Sequence, residues 1–151
     1  MRIRIICIGN RFFQPDSGGP RVHDILLGME FPAAVECIDG GLHGLNLLLL
    51  LEDVDHVIFV DSVKGFLPEE VNEGVVIVED PVFDLEYQEN HDHNSGLAYL
   101  LRTAPLVVES AMPGIYLIGV EGFPSSRLCE EAARKCRILA LTLLKSTAIK
   151  A

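Results

Sequence analysis

Paired cysteines, positive charge and long apolar runs are all scarce in this sequence, and each scarcity closes off a class of function. Cys7, Cys37, Cys129 and Cys136 form no CxxC pair and no His-linked zinc spacing. Cys7 and Cys37 sit inside apolar, strand-like runs, where a small thiol packs well, so reduced structural cysteine is predicted and the cytoplasm suits it. Only 12 Lys and Arg stand against 22 Asp and Glu, a formal charge of −10. A nucleic-acid backbone would be repelled unless a local basic patch existed. None is visible: Arg2, Arg4 and Arg11 are scattered, and Arg127, Arg134, Lys135, Arg137 and Lys145 share a helical stretch with Glu130 and Glu131, the pattern of a solvated face. The conspicuous run Leu47 to Leu51 is far below the ~20 residues of a membrane span. The first ten residues alternate like a strand and do not read as a signal segment. Neither nucleic acid nor membrane is expected as a partner, and the expected compartment is the cytoplasm.

Three catalytic signatures are missing as well. No G-x-x-x-x-G-K-[ST] or G-x-G-x-x-G follows the first strand, which disfavours a nucleotide site. No G-x-S-x-G elbow exists, so a serine hydrolase of the α/β-hydrolase type lacks its central feature.

The chain that remains, 151 residues and 49% hydrophobic, is the size of one domain, residues 1–151. Arg2 to Ile8 is β-rich and ends in Gly9-Asn10; a loop to Gly19 follows, and from about Pro20 the positions Val22, Ile25, Leu26 and Met29 recur at helical spacing. Ala34 to Ile38 reads as a second strand closed by a turn at Asp39-Gly40-Gly41. Leu42 to Leu51 reads as a helix buried on most sides. Asp55 to Val60 is a near-continuous apolar strand ending in Asp61, which implies cover on both faces. Val75 to Val78 is a fourth strand after a loop or hairpin over 65–74, and Asp80 to Asn90 is polar and irregular. A short helix Ser95 to Thr103, a fifth strand Gly114 to Val120 and a closing helix from Ser125 to about Lys145 complete the chain. The alternation predicts a three-layer α/β/α sandwich with a mostly parallel sheet of about five strands.

Ligands of open α/β sheets bind beyond the carboxyl ends of the strands. Asn10 and Asp16 follow strand one, Asp39 follows strand two and Asp61 follows strand three, so acidic groups gather on one edge. Two carboxylates and an imidazole form a common ligand set for a divalent transition metal, with positions left for water or substrate. The imidazole could come from His91 or His93, just ahead of the helix at Ser95. The same residues also suit plain structural roles, Asp61 ending a strand, Asp16 and Asp39 making turns. His23, His43 and His56 read as solvent-facing or partner-satisfied.

These blocks, taken in order, resemble the hydrogenase maturation endopeptidases. The first block is Ile8-Gly9-Asn10, then Asp16 with Gly19 and Arg21; the second is Asp39-Gly40-Gly41 before Leu42-His43-Gly44-Leu45; the third is Val57 to Asp61; the fourth, His93-Asn94-Ser95-Gly96-Leu97, selects His93 over His91. Together they cover most of residues 3–101. Pro15 stands where many members carry a second acidic residue, and the part after strand five is shorter than usual.

The resemblance implies an enzyme, a metal-dependent, aspartyl-type endopeptidase that removes the C-terminal peptide of a nickel-iron hydrogenase large-subunit precursor after nickel insertion. It implies Asp16, Asp61 and His93 as metal-contacting residues, Asp39 beside the substrate, and nickel supplied by the substrate. Two alternatives stay open: a non-catalytic, chaperone-like module that recognises the metal centre, and an unrelated α/β enzyme acting on a small ligand at the acidic edge.

Overall fold

The apolar run at Val57 to Val60 sets the architecture, because all four side chains are fully buried and they point alternately to opposite sides. A strand with that pattern needs cover on both faces, and the computed structural model, which describes residues 1–42, 44–81 and 95–150, provides it. Chain order is β1 (Ile3–Ile8), a 3-10 turn (Gln14–Asp16), α1 (Gly18–Leu26), β2 (Val35–Gly41), a 3-10 helix (Leu45–Leu51), β3 (His56–Val63) and β4 (Gly74–Glu79). It continues with α2 (Ser95–Val107), β5 (Gly114–Glu121) and α3 (Ser126–Lys150). The five strands lie in the order β2-β1-β3-β5-β4. All pairings are parallel except that of β4 with β5, so the sheet is mostly parallel, as predicted.

On one face Ile5, Cys7, Ile58, Val60 and Ile118 pack against Val22 and Leu26 of α1 and Leu128, Ala132 and Cys136 of α3. On the other, Ile6, Ile8, Val57, Phe59 and Leu117 pack against Leu47, Leu48 and Leu51 and against Leu97, Leu100 and Ala104 of α2. Each buried Leu, Ile or Phe contributes about 1.5–3 kcal/mol relative to exposure. The two cores, one per face, are what hold the three layers together. All four cysteines are free, and Cys7, Cys129 and Cys136 are buried; burial raises the Cys7 thiol pKa well above its ordinary value. On α3, Lys135 pairs with Glu131 at 3.0 Å and Arg127 with Glu73 at 2.8 Å, so part of its charge is internally answered.

Several boundaries depart from the predicted ones. β2 runs through Asp39-Gly40-Gly41 where a turn is predicted, because a bulge between Cys7 and Ile8 brings Ile8 opposite Gly41 and the Gly9 amide donates to the Gly41 carbonyl at 2.8 Å. Gly44 is extended, so the helix predicted over 42–51 is a short 3-10 helix that turns Leu47, Leu48 and Leu51 inward and leaves Leu49 out. β3 continues two residues past Asp61. α2 passes Thr103 and carries Pro105 inside it, and α3 passes Lys145. The segment 64–73 is a connection and not a hairpin, since β5 lies between β3 and β4. Of the polar stretch Asp80 to Asn90, residues 82–90 lie outside the described residues. No helix among the described residues is long and apolar enough to cross a membrane.

Candidate active site

Strand order reverses about β1, whose neighbours are β2 on one side and β3 on the other. The carboxyl end of the β1–β3 pair is therefore the topological switch point of the sheet, where connections part and a crevice forms. Asp16 and Asp61 come from the two sides of that point.

Asp61 lies within β3, opposite Gly119 of β5, and is 1% exposed. Alternation along the strand puts it on the face of Val57 and Phe59, beneath the 3-10 helix and α2. Ser62 takes the other face, where its Oγ accepts the Gly18 amide at 3.1 Å and so links β3 to the start of α1. A carboxylate buried this deeply has a desolvation cost that an ordinary strand terminator would not carry.

Asp16 closes the 3-10 turn after β1 and is half-buried. The Asn10 amide donates to both Asp16 Oδ2 at 3.0 Å and the Asp16 carbonyl at 2.9 Å, so the loop folds back tightly on the end of β1. Gly9 sits under that fold with φ +143, and a Cβ there would run into the Asp16 carbonyl. Such geometry is the physical content of the Gly-Asn pair. The Arg21 guanidinium donates to the Pro124 carbonyl, tying the start of α1 to the loop after β5.

Asp39 is exposed and sits opposite Cys7, whose side chain belongs to the α1 face. It therefore lies across the sheet from Asp61. Its Oδ1 accepts the Gly41 amide at 3.0 Å, and its Oδ2 lies 3.9 Å from Arg11 Nη2. The Arg11 guanidinium makes two bonds to Asp24, at 2.7 and 3.1 Å. Those bonds hold the Asp24 carboxyl below its ordinary range and raise the Arg11 pKa.

His93 and His91, and with them the predicted imidazole ligand, lie outside the described residues, as does His43. Among the described residues no group of three His, Cys, Asp or Glu could hold a metal. His23 and His56, predicted as solvent-facing or partner-satisfied, are both withdrawn from full exposure. His23 is buried on α1, and His56 is half-buried at the opposite edge of the sheet with its ring edge against Tyr116, centroids 5.8 Å apart. The His56 Nδ1 has no hydrogen-bond partner among the described residues. Amphipathic spacing on α1 and the start of a strand explain both placements.

α2 enters the second core, on the face of the sheet to which Asp61 belongs. Its far end is tied down at the amino edge of the sheet, where the Glu52 carboxylate accepts the Glu109 and Ser110 amides at 2.7 and 2.9 Å. Thirteen residues of helix span about 20 Å, so the first turn of α2 reaches back toward the carboxyl edge on the face that Asp61 occupies.

Four further residues at this edge stand outside the predicted set. Ser62 follows Asp61 directly, and period-two alternation was the signal that it faces α1. Arg11 and Asp24, thirteen positions apart, carry no sequence signal for pairing. Glu121, at the end of β5, accepts the Phe66 amide at 2.7 Å and the Leu67 amide at 3.2 Å, clamping the connection that follows β3.

Residues 21–131 match the family model HycI, hydrogenase maturation protease. The match includes Asp39, Asp61 and His93 and begins after Asp16. The crystal structure of hydrogenase 2 maturation peptidase from Thaumarchaeota archaeon SCGC_AB-539-E09 is similar at 32% identity, covering 95% of this chain and 98% of that one, with a TM-score of 0.55. The hydrogenase maturating endopeptidase HybD from E. coli is similar at 24% identity over 97% of this chain and 94% of that one, with a TM-score of 0.69. The [NiFe] hydrogenase maturation protease HycI from Thermococcus kodakarensis KOD1 is similar at 24% identity over 95% of this chain and 92% of that one, with a TM-score of 0.63. The last two likenesses speak to the fold alone. No curated protein sequence matches the chain.

Proposed function

This chain belongs to the hydrogenase maturation protease family, and from that premise we propose that it removes the C-terminal peptide of a nickel-iron hydrogenase large-subunit precursor once nickel has been inserted. It is an endopeptidase of hydrogenase maturation. In our reading nickel arrives as part of the substrate, and Asp16, Asp61 and His93 recognise it. Two carboxylates and an imidazole suit a divalent ion of that kind and leave sites for groups the substrate brings. The bound ion would polarise the scissile carbonyl or lower the pKa of a water. Asp16, half-buried and with its Oδ2 accepting the Asn10 amide at 3.0 Å, is the carboxylate we assign to take a proton. Asp39, on the α1 side and within reach of Arg11, sits where it would contact the substrate backbone or side chains and influence cleavage.

The observation that carries this reading is Asp61: a carboxylate 1% exposed, inside a central strand, at the switch point and on the face that α2 shares. His93 stands two residues ahead of α2 in the sequence, and the course of that helix toward the carboxyl edge supports a meeting with Asp61. The cysteines, all free, support a reducing compartment such as the cytoplasm.

Incubation of the purified protein with nickel-loaded and nickel-free precursor, read by intact mass, tests the reading. Loss of a C-terminal peptide from the loaded form alone is expected. Asp61→Asn, close in shape, should fall by at least ~100-fold in processing rate while keeping its fold. Processing of both forms alike, or an Asp61→Asn enzyme of undiminished rate, would remove the metal-recognition role.

A further inference from the structure

Phe12, on the loop that carries Asp16, is 94% exposed, and its neighbour Phe13 is 47% exposed. Single exposed apolar side chains are ordinary. Two adjacent aromatics on a stiff frame are not. The Phe12 amide donates to Asn10 Oδ1 at 2.9 Å, the Phe13 amide to the Asn10 carbonyl at 3.2 Å, and the Asp16 amide to the Phe13 carbonyl at 2.9 Å. Arg11, beside them, is anchored on Asp24. Leu42, just after β2, is 65% exposed and Phe123, just after β5, is 55% exposed. The strand order β2-β1-β3-β5 sets Leu42, the phenylalanine pair, the end of β3 and Phe123 in a row along one edge. Carboxylates of Asp16 and Asp39 belong to the same edge, where Asp24 is already paired with Arg11, on a chain of formal charge −10.

We propose that Phe12 and Phe13 anchor the protein substrate at this edge, receiving an apolar side chain flanked by Lys or Arg from the segment next to its scissile bond. This rests on the proteolytic reading above and adds how the client is held. Rigid aromatics on a preordered loop give contact area at low entropic cost, which is why such residues dominate binding energy at interfaces. The surrounding carboxylates favour a basic segment and repel an acidic one. Because Phe12 buries almost nothing, its contribution belongs to association and not to folding.

The test measures the dissociation constant of the nickel-loaded precursor by biolayer interferometry, with cleavage kinetics alongside, for the native protein, Phe12→Ser, Phe12→Tyr and the double variant Phe12→Ser/Phe13→Ser. Phe12→Ser should weaken binding and raise KM about tenfold or more, with kcat within about twofold and the melting temperature unchanged, and Phe12→Tyr should restore binding. The double variant should bind more weakly still, and added salt should weaken the native complex. If the native protein cuts the precursor and the double variant binds and cuts equally well, the anchor is refuted and the endopeptidase reading stands. If the native protein binds without cutting, the proteolytic reading fails while the loss in Phe12→Ser still supports the anchor. Absence of both binding and cutting overturns both. A native dimer dispersed by Phe12→Ser, with precursor affinity unchanged, would make the patch a contact between copies and overturn the proposal.

Discussion

Gly19→Ala is the substitution from which the close approach of α1 to β1 can be measured. A Cβ at Gly19 would stand 2.9 Å from both the carbonyl carbon and the nitrogen of Ile8, with the carbonyl oxygen nearer still, whereas real Cβ atoms essentially never come within 3.0 Å. Backbone meets backbone here, so no side chain can swing away. α1 would have to retreat from the sheet by about 1 Å, giving up packing of Val22 and Leu26 against the first core. Overpacking of this kind costs up to ~3 kcal/mol, and the gain in helix propensity on replacing glycine returns at most ~1 kcal/mol. The net loss is about 2 kcal/mol, or a fall of roughly 4–8 °C in melting temperature for a chain of this size. Urea and thermal unfolding followed by circular dichroism would read it, with Gly28→Ala as the comparison. Gly28 has one neighbour, the Ile25 carbonyl at 3.5 Å, so alanine there should be neutral or stabilising by under ~1 kcal/mol. The Asp16 loop spans the gap between β1 and α1, so the same retreat should lower precursor processing by up to ~100-fold. A Gly19→Ala protein as stable as the native one would show that the helix does not depend on this contact.

Two further outcomes follow from the edge described above. Glu121→Gln should loosen the connection after β3, because the carboxylate that accepts the Phe66 and Leu67 amides is replaced by a neutral oxygen. A loss of about 1 kcal/mol and faster amide exchange at residues 66 and 67 are expected, and unchanged exchange there would refute the clamp. Asp24 is held below its ordinary pKa of 3.8 by its hydrogen bonds with Arg11. The stabilisation from that contact is therefore present above pH 3.8 and is lost as pH falls through the lower folded value. The stability difference between the native protein and Asp24→Asn should shrink on acidification, and a difference that grew instead would reverse the sign of the linkage.

Much of this architecture was legible in the sequence because burial on two faces leaves a plain mark. Val57 to Val60 announced a central strand, and the residues that follow strands pointed to one edge of the sheet. What the sequence hid came from pairing. Asp39-Gly40-Gly41 has good turn chemistry, yet the bulge beside Cys7 draws it into β2, a long-range partner overriding a local preference. Leu45 to Leu51 has the composition of an α-helix and too little length once β2 has taken Gly41. β4 reads like any buried strand, and its antiparallel place beside β5 depends on a crossover that no local pattern encodes. At the site, placement at the edge was readable for Asp16 and Asp61. The separation of Asp39 from Asp61 onto opposite faces was not, because it depends on the register of β2 against β1.

The outermost position of β4 has a bearing on self-association. Gly74-Val-Val-Ile-Val-Glu79 is apolar and β-prone, it ends the sheet, and among the described residues no strand pairs with its outer side. A strand of that kind is a template for edge-to-edge aggregation. Glu73 precedes it and Glu79 and Asp80 close it, with Asp80 at φ 47 bending the chain out of extended geometry. A second copy approaching in parallel alignment would bring Glu79 and Asp80 against their own counterparts, like charge facing like, while Glu73 is paired with Arg127 at 2.8 Å. Glu79 and Asp80 are therefore placed to oppose edge pairing, and neutralising them should turn a strand that completes the sheet into one that recruits other molecules.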